Sequence, residues 1–316
     1  MSTLPLENQP ASLCILRLSA LGDATHTLAV VRTIQDRWPD TAITWIIGKL
    51  ERRLVGDLDG VEFIVFDKRG GWKEVTRLRH ALRGRRFDVL LHMQVAARAN
   101  LLSRLIRAPV RLGWDRARSR DFHTWFTTHE VAAVPLQHQV QGFLEFPRAL
   151  GIAVDKPRWD LPVGADAEAW AREQLPQDGP ILLISPCSSH PLRNWRPEYL
   201  AEVADHAVRA GMQVILSGGP SAIERETADR VVACMKEPCL DLVGKDTLEQ
   251  SKALLRRAAE AAVAGSLEVA RLGAPPVDDG ERDGAEEAGG EEEPAGRHQA
   301  SDRERAELAD LRHRRR

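Results

Sequence analysis

The sequence predicts an α/β protein built from two Rossmann-like domains, the second of them incomplete. Two observations carry that expectation. From residue 12 onward, short apolar runs of strand type alternate with stretches whose apolar residues recur at helical spacing, and the alternation restarts at residue 181 after a proline-bearing interruption. At 316 residues the chain has room for two cores of ordinary size, and it divides into residues 1–160, residues 161–276 and a tail of residues 277–316.

Taken in order, "SLCILRLSA" (12–20) is a buried-type strand, "THTLAVVRTIQDRW" (25–38) a helix and "TAITWIIG" (41–48) a second strand. "VEFIVFD" (61–67) and "FDVLLHMQ" (87–94) are further strands, separated by the helical "GWKEVTRLRHALRGRR" (71–86). A helix through "ARANLLSRLIRA" (97–108) and the strand "VRLGW" (110–114) follow. This order implies a parallel sheet with helices on both faces. Residues 151–180, with Pro157, Pro162, Pro176 and Pro180, read as a linker carrying one short helix.

The second series runs through the strand "ILLISP" (181–186), the helix "RPEYLAEVADHAVRAG" (196–211), the strand "MQVILSGG" (212–219) and the helix "SAIERETADRVVACM" (221–235). It ends with the strand "CLDLVG" (239–244) and the helix "TLEQSKALLRRAAEAAV" (247–263), so this sheet has only three strands. Residues 277–316 hold three large aliphatics, no aromatic residue, 13 acids and eight arginines. Such a segment cannot bury enough surface to offset chain entropy, and disorder is the expectation for it. A composition rich in Ala, Arg, Gly and Glu also suits the out-of-frame reading of a GC-rich gene.

With 43% hydrophobic and 28% charged residues, the balance is that of a water-soluble globular protein. No run approaches the roughly 20 apolar residues that cross a bilayer, and "MSTLPLENQPAS" lacks the basic-then-apolar pattern of a signal peptide, so a cytoplasmic location is expected. Cys14, Cys187, Cys234 and Cys239 form no CxxC pair, which argues against a zinc site or disulfide framework. Net charge is only −2, yet residues 69–120 carry 14 Lys/Arg against Glu74, Asp88 and Asp115. Such a field suits phosphate-rich or anionic-surface partners, although arginines on amphipathic helices are also ordinary solvated faces.

Rossmann-like sheets bind phosphates where a strand turns into a helix N-terminus. "SALGDATHT" occupies such a turn but is not GxGxxG, since Gly22 is the only glycine and "TWIIG" runs into Lys49 where a dinucleotide enzyme would place an acid. A dinucleotide-dependent oxidoreductase is therefore disfavoured. Asp23, taken by itself, reads as a helix cap. Two more polar turns follow strands of the second series, "SPCSSHPLRNWRPEYL" (185–200) and "LSGGPSAIERE" (216–226), which puts ligand-binding character at strand C-termini in both halves.

From about Cys14 to Val263 the sequence resembles the bacterial lipopolysaccharide core heptosyltransferases, glycosyltransferases of the twin-Rossmann GT-B architecture. The resemblance lies in "LSALGDATHTLAVVRTIQDRWPD", "FDVLLHMQ" with "RLGW", "ISPCSSHPLRNWRPEYLAEVADHAVRAG", "VILSGGPSAIERE" and "LVGKDTLEQSKALLRRA", in that order. It implies inverting transfer of heptose from ADP-heptose to a lipid A and core acceptor, by a monomer without metal, cofactor or nucleic acid, in the cytoplasm or at the inner face of its membrane. Asp23 matches the family's catalytic base, and a carboxylate that accepts a proton from the attacking sugar hydroxyl is chemically apt.

The same resemblance assigns Gly22, Ser188, Ser189, Arg193 and Glu224 to the donor, with arginine at 193 where some members have lysine. Glu224 reads equally as a helix-start glutamate. Arg52, Arg53, Arg111 and Arg116 are the expected acceptor contacts. His26, one turn past Asp23, reads first as a structural residue. After "LLRRAAEAAV" the family continues with an Asp-Ser/Thr-Gly…His segment, whereas this chain has "AGSLEVARLGAPPVDDGERDG". A binding module without catalysis, or a GT-B enzyme using another nucleotide-sugar, are the alternatives that this departure leaves.

Overall fold

The computed structural model describes residues 3–176, 179–188 and 191–271. The first half contains β1 (Ser12–Leu16), α1 (Leu21–Arg37), β2 (Ala42–Gly48), α2 (Lys49–Val55), β3 (Val61–Phe66), α3 (Gly71–Ala81) and β4 (Val89–His92). It continues with α4 (Ala97–Ser103), β5 (Val110–Gly113), a 3-10 turn at His123–Phe126, β6 (His129–Glu130) and α5 (Gln139–Ala149). The six strands form one parallel sheet in the order β3-β2-β1-β4-β5-β6. The order reverses between β1 and β4, the position at which doubly wound sheets open a crevice for ligands.

Alternation along β1 shows how the sequence builds both layers at once. Leu13 and Ile15 face a core shared with Leu28 and Val31 of α1 and Phe143 and Phe146 of α5. Cys14 and Leu16 face the other core, with Leu78 of α3 and Ala99 and Leu102 of α4. A strand buried on both sides reads as a continuous apolar run, as "LCIL" does.

α6 (Ala165–Gln174) leads into β7 (Ile181–Ile184), α7 (Pro197–Arg209), β8 (Gln213–Leu216), α8 (Ala222–Cys234), β9 (Leu240–Asp241) and α9 (Leu248–Arg271). The three strands form a parallel sheet ordered β7-β8-β9, and among the described residues β7 pairs on one side only. The architecture is thus α/β with two Rossmann-like sheets, as the pattern predicts.

Several boundaries differ from the sequence expectation. α1 begins four residues earlier than residue 25, so Gly22 and Asp23 lie in its first turn. Two helices, α2 and α5, have no counterpart in the periodicity reading. α9 continues to Arg271, past the expected end at 263. The expectation for residues 277–316 falls outside the described residues.

The strap between the halves is held by ion pairs to the outer side of α1, namely Arg32 to Asp160 at 2.9 Å and Arg158 to Asp36 at 2.6 Å. Deeper in, the buried Lys252 of α9 donates to the carbonyls of Leu54 (3.1 Å) and Pro162 (2.7 Å) and pairs with Glu249 at 2.7 Å. Removing that ammonium leaves two acceptors without donors in the interior. Lys252→Met is therefore expected to cost about 2–3 kcal/mol and to lower Tm by roughly 4–8 °C. Thermal unfolding monitored by circular dichroism tests this, and an unchanged Tm would show that the contact is dispensable.

Candidate functional site

The C-terminal ends of β1 and β4 are tied together by two polar side chains. The buried Arg17, just past β1, donates to the Met93 carbonyl just past β4 and ion-pairs with Asp23. Gln94 Oε1 accepts from the backbone N–H groups of Leu18 (3.0 Å) and Ser19 (3.1 Å). Trp45 Nε1 donates to the Arg17 carbonyl (3.1 Å), and the Arg17 guanidinium lies 5.3 Å from the Phe143 ring centre. Burial pulls Arg17 below its usual pKa while the Asp23 charge opposes that shift.

Asp23 is the third residue of α1, and its carboxylate reaches back to the N–H of Ala20, whose methyl side chain cannot cap the helix itself. Both that hydrogen bond and the Arg17 pair use Oδ2. Among the described residues Oδ1 has no hydrogen-bond partner, and the Asp23 side chain is 26% exposed. One oxygen thus anchors the helix end, and the other is left without a partner among the described residues. A Cβ on Gly22 would meet no atom within 4 Å, so the approach to this helix end is open.

Beside this pair lies a cavity of about 990 Å³ lined by Arg17, Trp114, Arg118, Arg120, Gln137 and His138, among others. Three buried polar atoms in this neighbourhood lack partners in the described structure: Arg17 Nε, His26 Nδ1 and Gln137 Nε2. Such atoms are normally satisfied by water or a ligand. His26 packs on Phe143 at 5.3 Å, and burial lowers its pKa against the pull of Asp23, which favours the neutral ring. Gly142 on α5 lets the Arg118 guanidinium lie close, since a Cβ there would come within 2.8 Å of an Arg118 nitrogen.

The expected acceptor arginines separate. Arg111 donates to the carbonyls of Ser103, Ile106 and Phe126 and to the Ser103 hydroxyl, all between 2.8 and 2.9 Å, so its guanidinium is consumed in bracing the loop after α4. Arg52 is likewise spent on the Gly56 carbonyl and Asp57 and stacks 4.3 Å from the Phe63 ring centre. Arg53 and Arg116 are exposed and have no ion-pair partner among the described residues. The cavity takes Arg118 and Arg120, two and four residues on from Arg116.

In the second half, Ser188 stands exposed on the loop after β7, its N–H donating to Asn194 Oδ1 at 2.7 Å. Asn194 Nδ2 also donates to the Cys187 sulfur at 3.3 Å, so Asn194 shapes the loop from both sides. Arg193 ends the short 3-10 turn Pro191–Arg193 and is exposed, with no ion pair among the described residues. Ser189 lies outside the described residues. Glu224 is folded back on its own helix, where it accepts from the Gly219 N–H (2.8 Å) and the Ser221 hydroxyl (2.5 Å). Its carboxylate closes the cap of α8, which is the helix-start reading, and a Cβ on Gly219 would sit 2.9 Å from it. Among the described residues no hydrogen bond or ion pair joins this group to Asp23.

Sequence reasoning missed Arg17, Gln94, Arg118, Gln137 and Asn194. The one legible signal was Arg17 itself, a charge that directly follows a buried apolar strand and must find a partner.

Residues 75–264 match the profile of glycosyltransferase family 9 (heptosyltransferase). The chain is 37% identical over 248 residues to the lipopolysaccharide core heptosyltransferase OpsX of Haemophilus influenzae, covering 78% of this chain and 72% of that protein. It is 24% identical over 255 residues to lipopolysaccharide heptosyltransferase 2 of Salmonella typhimurium, covering 75% and 72%. Among solved structures, the glycosyl transferase family 9 of Veillonella parvula is similar with a TM-score of 0.69 at 20% identity over 78% of this chain and 74% of that one. The E. coli ADP-heptose lipopolysaccharide heptosyltransferase II has a TM-score of 0.62 at 21% identity, with 77% and 76% covered, and these likenesses bear on the fold.

Proposed function

The chain belongs to glycosyltransferase family 9, and from that membership we infer that it transfers heptose from ADP-heptose to the inner core of lipopolysaccharide. The observation that carries the chemistry is the Asp23 carboxylate, with one oxygen anchored and one outward at the C-terminal end of β1. In this reading an acceptor hydroxyl approaches the anomeric carbon from the cavity side and loses its proton to Oδ1 as the new bond forms. Arg17 holds the carboxylate in place through Oδ2. Attack opposite the leaving diphosphate inverts the anomeric centre, and no metal is called for.

The six-stranded half would hold the acceptor, with Arg120, Arg53 and Arg116 as the cations available to its phosphates and Arg118, paired with Asp115, as part of the cavity wall. The three-stranded half would hold the donor, with Ser188, Ser189 and Arg193 on the diphosphate and the Gly219 turn next to the nucleotide. Glu224 would support that turn through its cap, and Gly22 would leave room for the sugar. The chain would work as a monomer at the inner face of the cytoplasmic membrane. No helix among the described residues is long and apolar enough to cross it.

The test is incubation with ADP-heptose and lipopolysaccharide truncated before its first heptose. ADP release that requires both substrates, with heptose found on the acceptor, is the expected result; ADP bound but never released by turnover would sink the reading. Arg193→Ala is expected to raise KM for the donor about tenfold to a hundredfold, the worth of one hydrogen-bonded charge on a phosphate, while kcat moves less. Steady-state kinetics at varied donor concentration read this out, and an unchanged KM would remove Arg193 from the donor site.

A further inference from the structure

The outer face of the α3–α4 layer is not used by the reading above. Four large apolar side chains stand out from it on three elements: Trp72 of α3 is 81% exposed, Leu101 of α4 66%, and Phe122 and Trp125 at the 3-10 turn 67% and 74%. A soluble protein rarely leaves that much aromatic surface together without a partner. The elements form one surface. Arg98 at the start of α4 donates to the Lys68 carbonyl next to α3 (3.0 Å), and Asn100 Nδ2 donates to the Asp121 carbonyl (2.8 Å). Arg104 lies 5.4 Å from the ring centre of Phe126, and the Phe122 and Trp125 rings are 4.6 Å apart.

The acid beside these side chains, Asp121, is engaged at the start of α4, where it accepts the Ala97 N–H at 2.9 Å, and the arginines around them outnumber it. A groove of about 650 Å³ between the C-terminal ends of α3 and α4 is lined by Arg79, His80, Arg83, Arg104 and Arg107 and by no acid. Among the described residues none of those arginines, nor Arg98, has an ion-pair partner. Glu74, the acid of α3, is taken by Arg77 and by the Asp67 N–H. Indole and phenyl groups interleaved with unpaired arginines fit the boundary between lipid headgroups and acyl chains.

We propose that the face built by α3, α4 and the His123–Phe126 turn docks on an anionic lipid bilayer. The arginines bind headgroup phosphates electrostatically, while Trp72, Leu101, Phe122 and Trp125 enter the interface. The proposal adds a surface to the membrane location inferred above and rests on that reading only for its purpose. Binding is measured without sugar substrates, so the two can fail separately.

The experiment is flotation of the full chain with phosphatidylcholine vesicles, with and without about one third phosphatidylglycerol. Binding to the anionic vesicles alone is expected, weakened about tenfold or more at high salt. Replacing Arg79, Arg83, Arg104 and Arg107 by Gln should weaken it by at least about tenfold, and Phe122→Ser with Trp125→Ser should reduce quenching by brominated lipid to the part that Trp72 contributes. Both variants should turn over detergent-dispersed acceptor like the parent chain, which shows that they fold. Equal binding to both vesicle types, or variants that bind like the parent chain, would overturn the proposal. Self-association in sedimentation velocity that the same substitutions abolish, without vesicle binding, would give the face to a second copy of the chain instead.

Discussion

Asp23→Asn is expected to lower kcat about a hundredfold to ten-thousandfold while the donor still binds. The carboxamide can keep the hydrogen bond to Ala20 but cannot take up the proton of the attacking hydroxyl. The structure adds a stability cost to this variant. Arg17 is buried, and Asp23 is its ion-pair partner, so the neutral side chain leaves an interior charge without its counterion. A loss of about 1–3 kcal/mol in stability should accompany the loss of activity. Combining Asp23→Asn with Arg17→Met separates the two effects, because the double variant should regain stability and remain inactive. Recovery of turnover in the double variant would exclude Asp23 as the base.

Acid should destabilise the protein well above the carboxylate range, through two buried histidines. His92 ends β4 and stacks 4.4 Å from His123, and neither ring nitrogen of His92 has a hydrogen-bond partner among the described residues. His123 Nδ1 faces Asn100 Oδ1 at 3.0 Å, and its Nε2 accepts the Trp114 N–H at 3.3 Å, an arrangement that requires the neutral ring. Burial lowers the His123 pKa from 6.5 to about 4, and burial together with His123 pushes His92 well below its ordinary value.

Above pH 6.5 both rings are neutral whether the chain is folded or not, and they add no pH dependence. As the pH falls from 6.5 toward about 4, the unfolded chain takes up protons that the folded one refuses. Stability is therefore lost across that window, by on the order of 3 kcal/mol from His123 alone, and His92 adds to it. Urea unfolding between pH 7 and pH 4.5 measures the slope, which His92→Leu should flatten without breaking a hydrogen bond. A stability that stays level over this range in the parent chain would refute the account.

The strand and helix alternation was legible because each buried strand of the sheet must be apolar along its whole length. α2 and α5 were not, for different reasons. α2 has seven residues, too few for a helical period to emerge, and it begins directly at the end of β2. α5 carries Pro147, a residue that normally ends a helix, and it is buried over most of its length. The family motifs singled out Asp23, but its early place in α1 depends on Ala20, whose missing cap the carboxylate supplies. The arginines illustrate the limit of a charge count. Arg111 and Arg118 are seven residues apart in one basic stretch, yet both are absorbed by the fold, the first by backbone carbonyls and the second by Asp115 and the Ala132 carbonyl at the cavity wall.

Lys252 has a consequence for how the molecule holds together in time. Its single ammonium satisfies a carbonyl of α2 and a carbonyl of the strap, so neither sheet can come apart without exposing unpaired groups belonging to the other. Two modules joined by a free linker would melt independently. Here the six-stranded and three-stranded halves are expected to open in one cooperative step, so that a lesion in either is felt as a weakening of both.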